Sequence, residues 1–307
     1  MLTSCRWLRV LMVAAFACGM FVTEQAHAQK LLRWKYRAGE TLQYELVQGM
    51  KQKLYPGGDA PPMDFTTTQV MDFSEKIESV DPQGPASMTQ TVTRSRFKLQ
   101  SPQGIVIDYD TASGKKPEGM ATMLQPMFEA VINKPIQMKI TERGEVKDMK
   151  LPAGMLESIN KVAGSGPTGN VFSEDFLRQL SEICVFPQEP VSPGSTWKHT
   201  VTTKDSALGQ MVVTNLMRYE GTENRNGLPV EKITFSTQFQ KPQQQKPGTV
   251  GIKEQTGGGT IYFDAAAGQI QESINQMTMK MDITVMGRMM NQDLEMNLVL
   301  KPKASQP

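Results

Sequence analysis

Met277-Thr278-Met279-Lys280-Met281-Asp282-Ile283-Thr284-Val285 alternates apolar and polar side chains from end to end. A strand sends successive side chains to opposite faces, so this stretch reads as a half-buried strand with its thioethers inward. Gly287 marks a turn, and Leu294, Met296, Leu298 and Leu300 alternate on the way back. The two runs form an antiparallel hairpin, and the same period recurs upstream. Leu42, Tyr44 and Leu46 share one side of a strand, and Phe65, Met71, Phe73 and Ile77 share one side of a longer one. Asp81-Pro82-Gln83-Gly84 has turn chemistry, because Pro presets φ and Gly accepts positive φ. Met88 to Leu99 returns as a strand, and Ile105, Ile107 and Tyr109 mark another.

The period changes in the middle of the chain. Met120, Met123, Leu124, Met127, Phe128, Val131 and Ile132 recur at helical spacing, with Pro126 forcing a kink or two short helices. Ile136, Met138 and Ile140 alternate again, Arg143-Gly144 turns, and Val146 begins a return strand. Met155, Leu156, Ile159 and Val162 predict a further short helix. Ser173 is a candidate N-cap for another, carrying Phe176, Leu177, Leu180 and Cys184 on one face. Gln240 to Gly259, rich in Gln, Lys, Pro and Gly, reads as a long loop before the strands resume.

An internal echo organises these pieces. Gly39-Glu40-Thr41-Leu42 is matched by Gly194-Ser195-Thr196-Trp197, each followed by three alternating apolar or aromatic positions. Each copy then runs through a long strand, a glycine turn (Gly84; Asn226-Gly227) and a return strand. Each closes on an Asp-x-x-x-Gly unit, Asp110 to Gly114 and Asp264 to Gly268. Repeated order of this kind points to duplication. The expected fold class is therefore α+β, mainly antiparallel β. Two related curved-sheet modules, 29–115 and 188–307, flank a helical middle segment, 116–187.

The first 28 residues have the anatomy of a secretory signal. Arg6 and Arg9 precede the apolar run Val10 to Val22, and Ala26-His27-Ala28 supplies a small-x-small cleavage site. The alternative is a lipoprotein acylated on Cys18. No later stretch has membrane-spanning length, so the processed chain is expected to lack a transmembrane segment and to be exported, periplasmic or extracellular. With 33 basic against 31 acidic residues, charge does not point to nucleic acid. Once the leader is removed, Cys184 and His199 are alone of their kinds, which excludes an internal disulfide and a Cys/His zinc site.

Candidate chemistry is thin. Cys184 and His199 form a nucleophile–base pair only if the fold brings them together, and no cysteine-enzyme signature surrounds them. Buried packing is the default for both, His199 occupying the place of Tyr44 in the repeat. Asp108, Asp110 and Ser113-Gly114 hint at a calcium loop, but Gly119 stands where the closing acid belongs. Gly257-Gly258-Gly259 lacks the Lys-Ser/Thr of a phosphate loop. Arg94, Arg96 and Lys98 form a basic stripe whose default reading is the wet face of a sheet. No catalytic, cofactor-binding or metal-ligating residue is nominated.

The opening strand, Lys35-Tyr36-Arg37-Ala38-Gly39-Glu40-Thr41-Leu42-Gln43-Tyr44, resembles that of exported bacterial proteins of uncharacterised families. A looser architectural similarity is to periplasmic lipoprotein carriers, in which a curved antiparallel sheet shelters acyl chains. The family likeness brings no activity with it; the pairing of curved-sheet patterning with methionine-rich faces and an empty catalytic inventory leads to the expectation of a non-catalytic envelope protein that binds a lipid, another apolar or amphipathic ligand, or an envelope protein partner. The abundant methionines suit either adaptable ligand surfaces or core filling. Alternatives are a secreted carboxylate-dependent hydrolase, marked by two convergent acids, and a structural or assembly protein.

Overall fold

A computed structural model describes residues 29–82, 84–163, 174–206, 209–240, 251–285 and 288–303. The expected signal peptide and the candidate cap Ser173 lie outside them. Period-2 patterning produces long strands: β1 (Thr41–Tyr55), β2 (Met63–Val80), β3 (Ala86–Ser101) and the short β4 (Gly104–Asp110). A 3-10 helix (Gly119–Leu124) and α1 (Gln125–Val131) follow, split where Pro126 enters the first turn of α1. Then come β5 (Pro135–Ile140), β6 (Val146–Lys150), α2 (Met155–Ala163) and α3 (Glu174–Ser181). The chain ends in β7 (Thr196–Ser206), β8 (Gly209–Arg225), β9 (Leu228–Gln240), β10 (Gly251–Asp264), β11 (Gln269–Val285) and β12 (Arg288–Pro302).

Among the described residues, all twelve strands join one sheet, ordered β6-β5-β3-β2-β1-β12-β11-β10-β9-β8-β7, with β4 alongside β3. β1 pairs with β12, so strands from before and after the helical segment lie in one sheet. Bulges, including Asp72/Phe73 in β2 and Tyr219/Gly221 in β8, add twist and bend, so the sheet curls. It curls far enough that both edge strands, β6 and β7, touch α3.

Register assigns the faces. Leu46 opposes Leu300 and Met71, Leu300 opposes Ser273, and Ser273 opposes Ile261. Directly opposed residues share a face, so these positions line the concave side. At one end that side is a packed core of Leu32, Tyr44, Phe186, Met217, Tyr219, Ile233, Ile261 and Phe263, among others. A second cluster of Ile77, Met88, Met138, Ile140, Val146 and Met149 sits under the β2–β6 side. Each fully buried side chain of this size contributes about 1.5–3 kcal/mol through removal from water.

The two echoed segments make matching backbone hydrogen bonds. Gly39 N–H donates to Ile77 O (2.8 Å) and Ile77 N–H to Glu40 O (2.9 Å). In the second half, Gly194 N–H donates to Tyr219 O (2.7 Å) and Tyr219 N–H to Ser195 O (2.9 Å). Both glycines take positive φ, 84° and 91°. The Asp turns also match locally, Asp110 Oδ1 accepting from Ala112 N–H and Asp264 Oδ1 from Ala266 N–H. Their places in the sheet differ. β4 and β5 together flank β3 as a strand broken by the helical insertion, so the turn ending β5 at Thr141–Gly144 holds the position of Asp264–Gly268.

Two segments depart from the sequence reading. Gly251 to Gly259 belongs to β10, not to a loop, because its glycines let neighbouring strands approach: a Cβ on Gly259 would lie 1.9 Å from Ile274 O. Cys184 lies beyond the end of α3, in the extended run leading to Phe186. It is still buried.

Candidate functional site

The packed end of the curl is sealed by two crossing segments. Residues 30–35 bind across it: Lys30 pairs with Val191, Trp34 N–H donates to Glu142 O (2.8 Å) and Lys35 N–H to Gly268 O (3.2 Å). Residues 182–186 cross the gap between the sheet edges. Glu182 Oε1 accepts from Val146 N–H of β6 (2.9 Å), and its Oε2 meets His199 Nε2 of β7 (2.8 Å). One carboxylate thus joins the two edges. Trp34 Nε1–H donates to Cys184 O (3.0 Å), Trp197 Nε1–H to Val185 O (2.8 Å) and Arg143 Nε–H to Phe186 O (2.7 Å). Glu182→Ala strips an edge N–H and a histidine of their acceptor, and hydrogen bonds to charged groups contribute about 1.5–3 kcal/mol. We expect a loss of about 2–3 kcal/mol by urea unfolding, with Glu182→Gln, which keeps an acceptor oxygen, losing less than about half of that.

This arrangement places the candidate residues. His199 faces inward as the repeat implies, but its ring nitrogen is held by Glu182, not by the thiol. Burial pushes the Cys184 thiol up, away from the reactive thiolate. Arg94 and Arg96 lie on the convex face. Arg94 clasps Asp110, which is held down to about 2, and Arg96 reaches Glu45 (3.1 Å) and buried Asp72 (3.0 Å). Lys303 completes the set on Asp72 at 2.7 Å. Asp110 is therefore engaged by an arginine and by its own turn.

Beyond the sealed end, the concave side changes character. Its inward positions include Met50 and Leu54 of β1, Leu294, Met296 and Leu298 of β12, and Met277 and Met279 of β11. All of these are half-buried, not closed off. Amides interleave with them, Gln48 Nε2–H reaching Met296 Sδ at 3.6 Å. The opposite face of the same strands is polar and exposed, with Lys51, Lys53, Glu295 and Lys280 charged and Thr278 neutral. At the rim of this end, Met63, Ile105, Met120 and Met123 are exposed apolar side chains, Met123 at 62%. A lipid-spanning barrel needs the reverse polarity, with an apolar band outside. The charged residues are outside here.

Sequence reasoning missed Glu75. It faces inward between Phe73 and Ile77, opposite Leu42 of β1 and Gln90 of β3. Gln90 Nε2–H donates to its Oε1 at 3.0 Å, and burial lifts the carboxyl to about 7. The signal was present in the alternation, since Glu75 shares the parity of two residues already assigned inward. Glu231, also inward, is fully engaged by Lys30 (2.7 Å), Thr222 (2.9 Å) and the Tyr219 hydroxyl, which is lifted to about 12 mainly by burial.

Fold and site together define a curled antiparallel sheet, sealed at one end and methionine-lined at the other. The chain belongs to a family of unknown function, DUF6263, whose model matches residues 83–298. No curated protein matches it. Among solved structures it is similar to a Bacteroides fragilis protein described as exported and of YmcC-like fold. That likeness has 8% identity and covers 89% of this chain and 100% of the other, with a TM-score of 0.29. An outer membrane channel from Pseudomonas putida shares 6% identity over 88% of this chain and 97% of its own, TM-score 0.24. A domain from Vibrio parahaemolyticus described as outer membrane lipoprotein-sorting shares 10% identity over 86% of this chain and 87% of its own, TM-score 0.15. Among the described residues, no helix is long and apolar enough to cross a membrane.

Proposed function

We propose that this is an exported, non-catalytic envelope protein that holds the apolar part of an amphipathic ligand against its concave sheet face. The observation that carries the reading is the half-buried inward row Met50, Leu294, Met296, Met277 and Met279, backed by a charged outer row. Apolar surface left half-open inside a curved sheet is unsatisfied unless something packs on it, and flexible thioethers adapt to chains of varied shape. The exposed apolar rim around Ile105, Met120 and Met123 gives such a chain an entry path. Against a carboxylate hydrolase, Glu182 and Glu231 are each occupied by protein donors.

The test is titration of the leaderless chain with the environment-sensitive dye N-phenyl-1-naphthylamine, followed by displacement with a saturated twelve-carbon chain. Dye brightening in the micromolar range is expected, with affinity falling about tenfold, or about 1.4 kcal/mol, in Met279→Lys and Met296→Lys. Absent brightening, or variants that bind as the parent does, would overturn the reading.

A further inference from the structure

Three methionines stand abreast on the concave face. Met296 of β12 is directly opposed by Met50 of β1 on one side and by Met277 of β11 on the other. Directly opposed residues share a face, with Cβ atoms about 4.5–5.5 Å apart, so neighbouring thioethers in this row are within reach of one another. The sheet is concave here, which tilts the two flanking side chains toward the central one. All three are half-buried, so the row can be reached from solvent. Met279 stands two residues further along the same face of β11, diagonal to Met296, and extends the set.

Two of the sulfur atoms are located by their neighbours. Gln48 Nε2–H reaches Met296 Sδ at 3.6 Å, and Gln52 Nε2–H reaches Met50 Sδ at 3.8 Å. Gln48 and Gln52 flank Met50 on the same face of β1, so their amides converge on the Met50–Met296 pair from either side. Thioether sulfur is a weak hydrogen-bond acceptor, and its stronger chemistry is that of a soft, uncharged ligand, which selects Cu(I) over harder divalent ions. Among the described residues, no group of three or more His, Cys, Asp or Glu side chains could hold a metal ion. Cys184 is buried at the sealed end, and His199 is held by Glu182.

We propose that Met50, Met296 and Met277 form a thioether site for a soft monovalent metal ion, Cu(I), on the concave face. This goes beyond the apolar-ligand function: the same row serves both, but the metal needs sulfur where a chain needs only apolar surface. Binding is coordination alone, three sulfur lone pairs donated to one cation, with no electron transferred and no proton released. A thiol or an imidazolium must lose a proton to bind a metal, whereas a thioether has none to lose. Uptake is therefore independent of pH across the range in which histidine and cysteine titrate.

The test is anaerobic calorimetric titration of the leaderless chain with Cu(I) supplied as its labile acetonitrile complex. It is repeated with Ag(I), a soft ion without redox chemistry of its own here, and with Zn(II) as the harder control. One Cu(I) or Ag(I) per chain is expected in the micromolar range, with the same affinity at pH 6 and pH 8, and no uptake of Zn(II). Met50→Leu, Met277→Leu and Met296→Leu should each weaken Cu(I) at least about tenfold, and the triple variant should abolish uptake. Leucine conserves apolar character and nearly the same volume, so dye brightening should persist in every variant. The single variants carry the test where the triple fails to fold. No saturable Cu(I) uptake, affinity that climbs steeply with pH, or uptake that survives the leucine changes would overturn the site. If the parent chain takes Cu(I) but leaves the dye dark, the apolar-ligand reading falls and the metal site stands.

Discussion

Gly144→Ala is expected to destabilise the fold by about 4 kcal/mol, lowering the melting temperature by roughly 10 °C for a chain of this size. Two costs combine. Gly144 has φ of 92°, where a Cβ is strained by about 1 kcal/mol or more. A Cβ there would also lie 2.4 Å from Cys184 O and 2.6 Å from Trp34 Nε1, the two atoms of the hydrogen bond that ties the crossing segments together. Making room breaks this part-buried bond and shifts the segment that carries Glu182 toward β7, so an overpacking term of about 1–3 kcal/mol is added. Gly114→Ala separates the two costs. Its φ is 70°, but nothing lies within 4 Å of the added carbon, so a loss of only about 1 kcal/mol is expected. Differential scanning calorimetry of the pair reads the contrast directly. Equal losses would mean that the crossing segments do not brace the sheet.

Glu75→Gln is expected to stabilise the ligand-free protein by about 3 kcal/mol at pH 8. Burial lifts the folded-state carboxyl from 4.5 to about 7, so the folded state holds a proton that the unfolded chain has released between those values. Stability is therefore highest below about pH 4.5 as far as this group is concerned, falls as pH rises through that window, and is flat above about pH 7. A shift of that size corresponds to roughly 3 kcal/mol at 1.36 kcal/mol per unit. The glutamine variant removes this slope, leaving the contribution of conventional carboxylates such as Asp110, which has the opposite sign and lies at lower pH. Urea unfolding of both proteins from pH 4.5 to 8.5 gives the difference curve. A variant less stable than the parent at pH 8 would show that Glu75 is compensated in the fold.

Strand alternation made most of the sheet legible in the sequence. Met277 to Val285 and Leu294 to Leu300 pair as their patterns require, and Pro126 divides the helical stretch where it stands. Gly39 and Gly194 make the same two backbone bonds with Ile77 and Tyr219, so the repeated Gly-x-Thr signal had a geometric basis. What stayed hidden depends on contacts distant in the chain. Glu182 joins Val146 to His199 only because the sheet curls, and curvature comes from bulges that period-2 counting does not register. Gly257 to Gly259 looks like a loop by composition, yet crowding by Phe235 and Ile274 makes glycine the residue that fits inside β10. Glu75 was readable from parity alone. The methionines were ambiguous for a physical reason: an inward position packs or stays open according to what crosses above it, and the crossing segments cover only one end.

The most direct measurement is the peroxide oxidation rate of individual methionines, read by mass spectrometry with and without a saturating twelve-carbon amphiphile. Met277, Met279 and Met296 should oxidise readily in the free chain and slow at least fivefold (about 1 kcal/mol) when the amphiphile is bound. Met138 and Met149, buried in the smaller core, should keep their rates. Unchanged rates at the three inward positions under saturating ligand would mean that the concave face is not where an apolar chain lies.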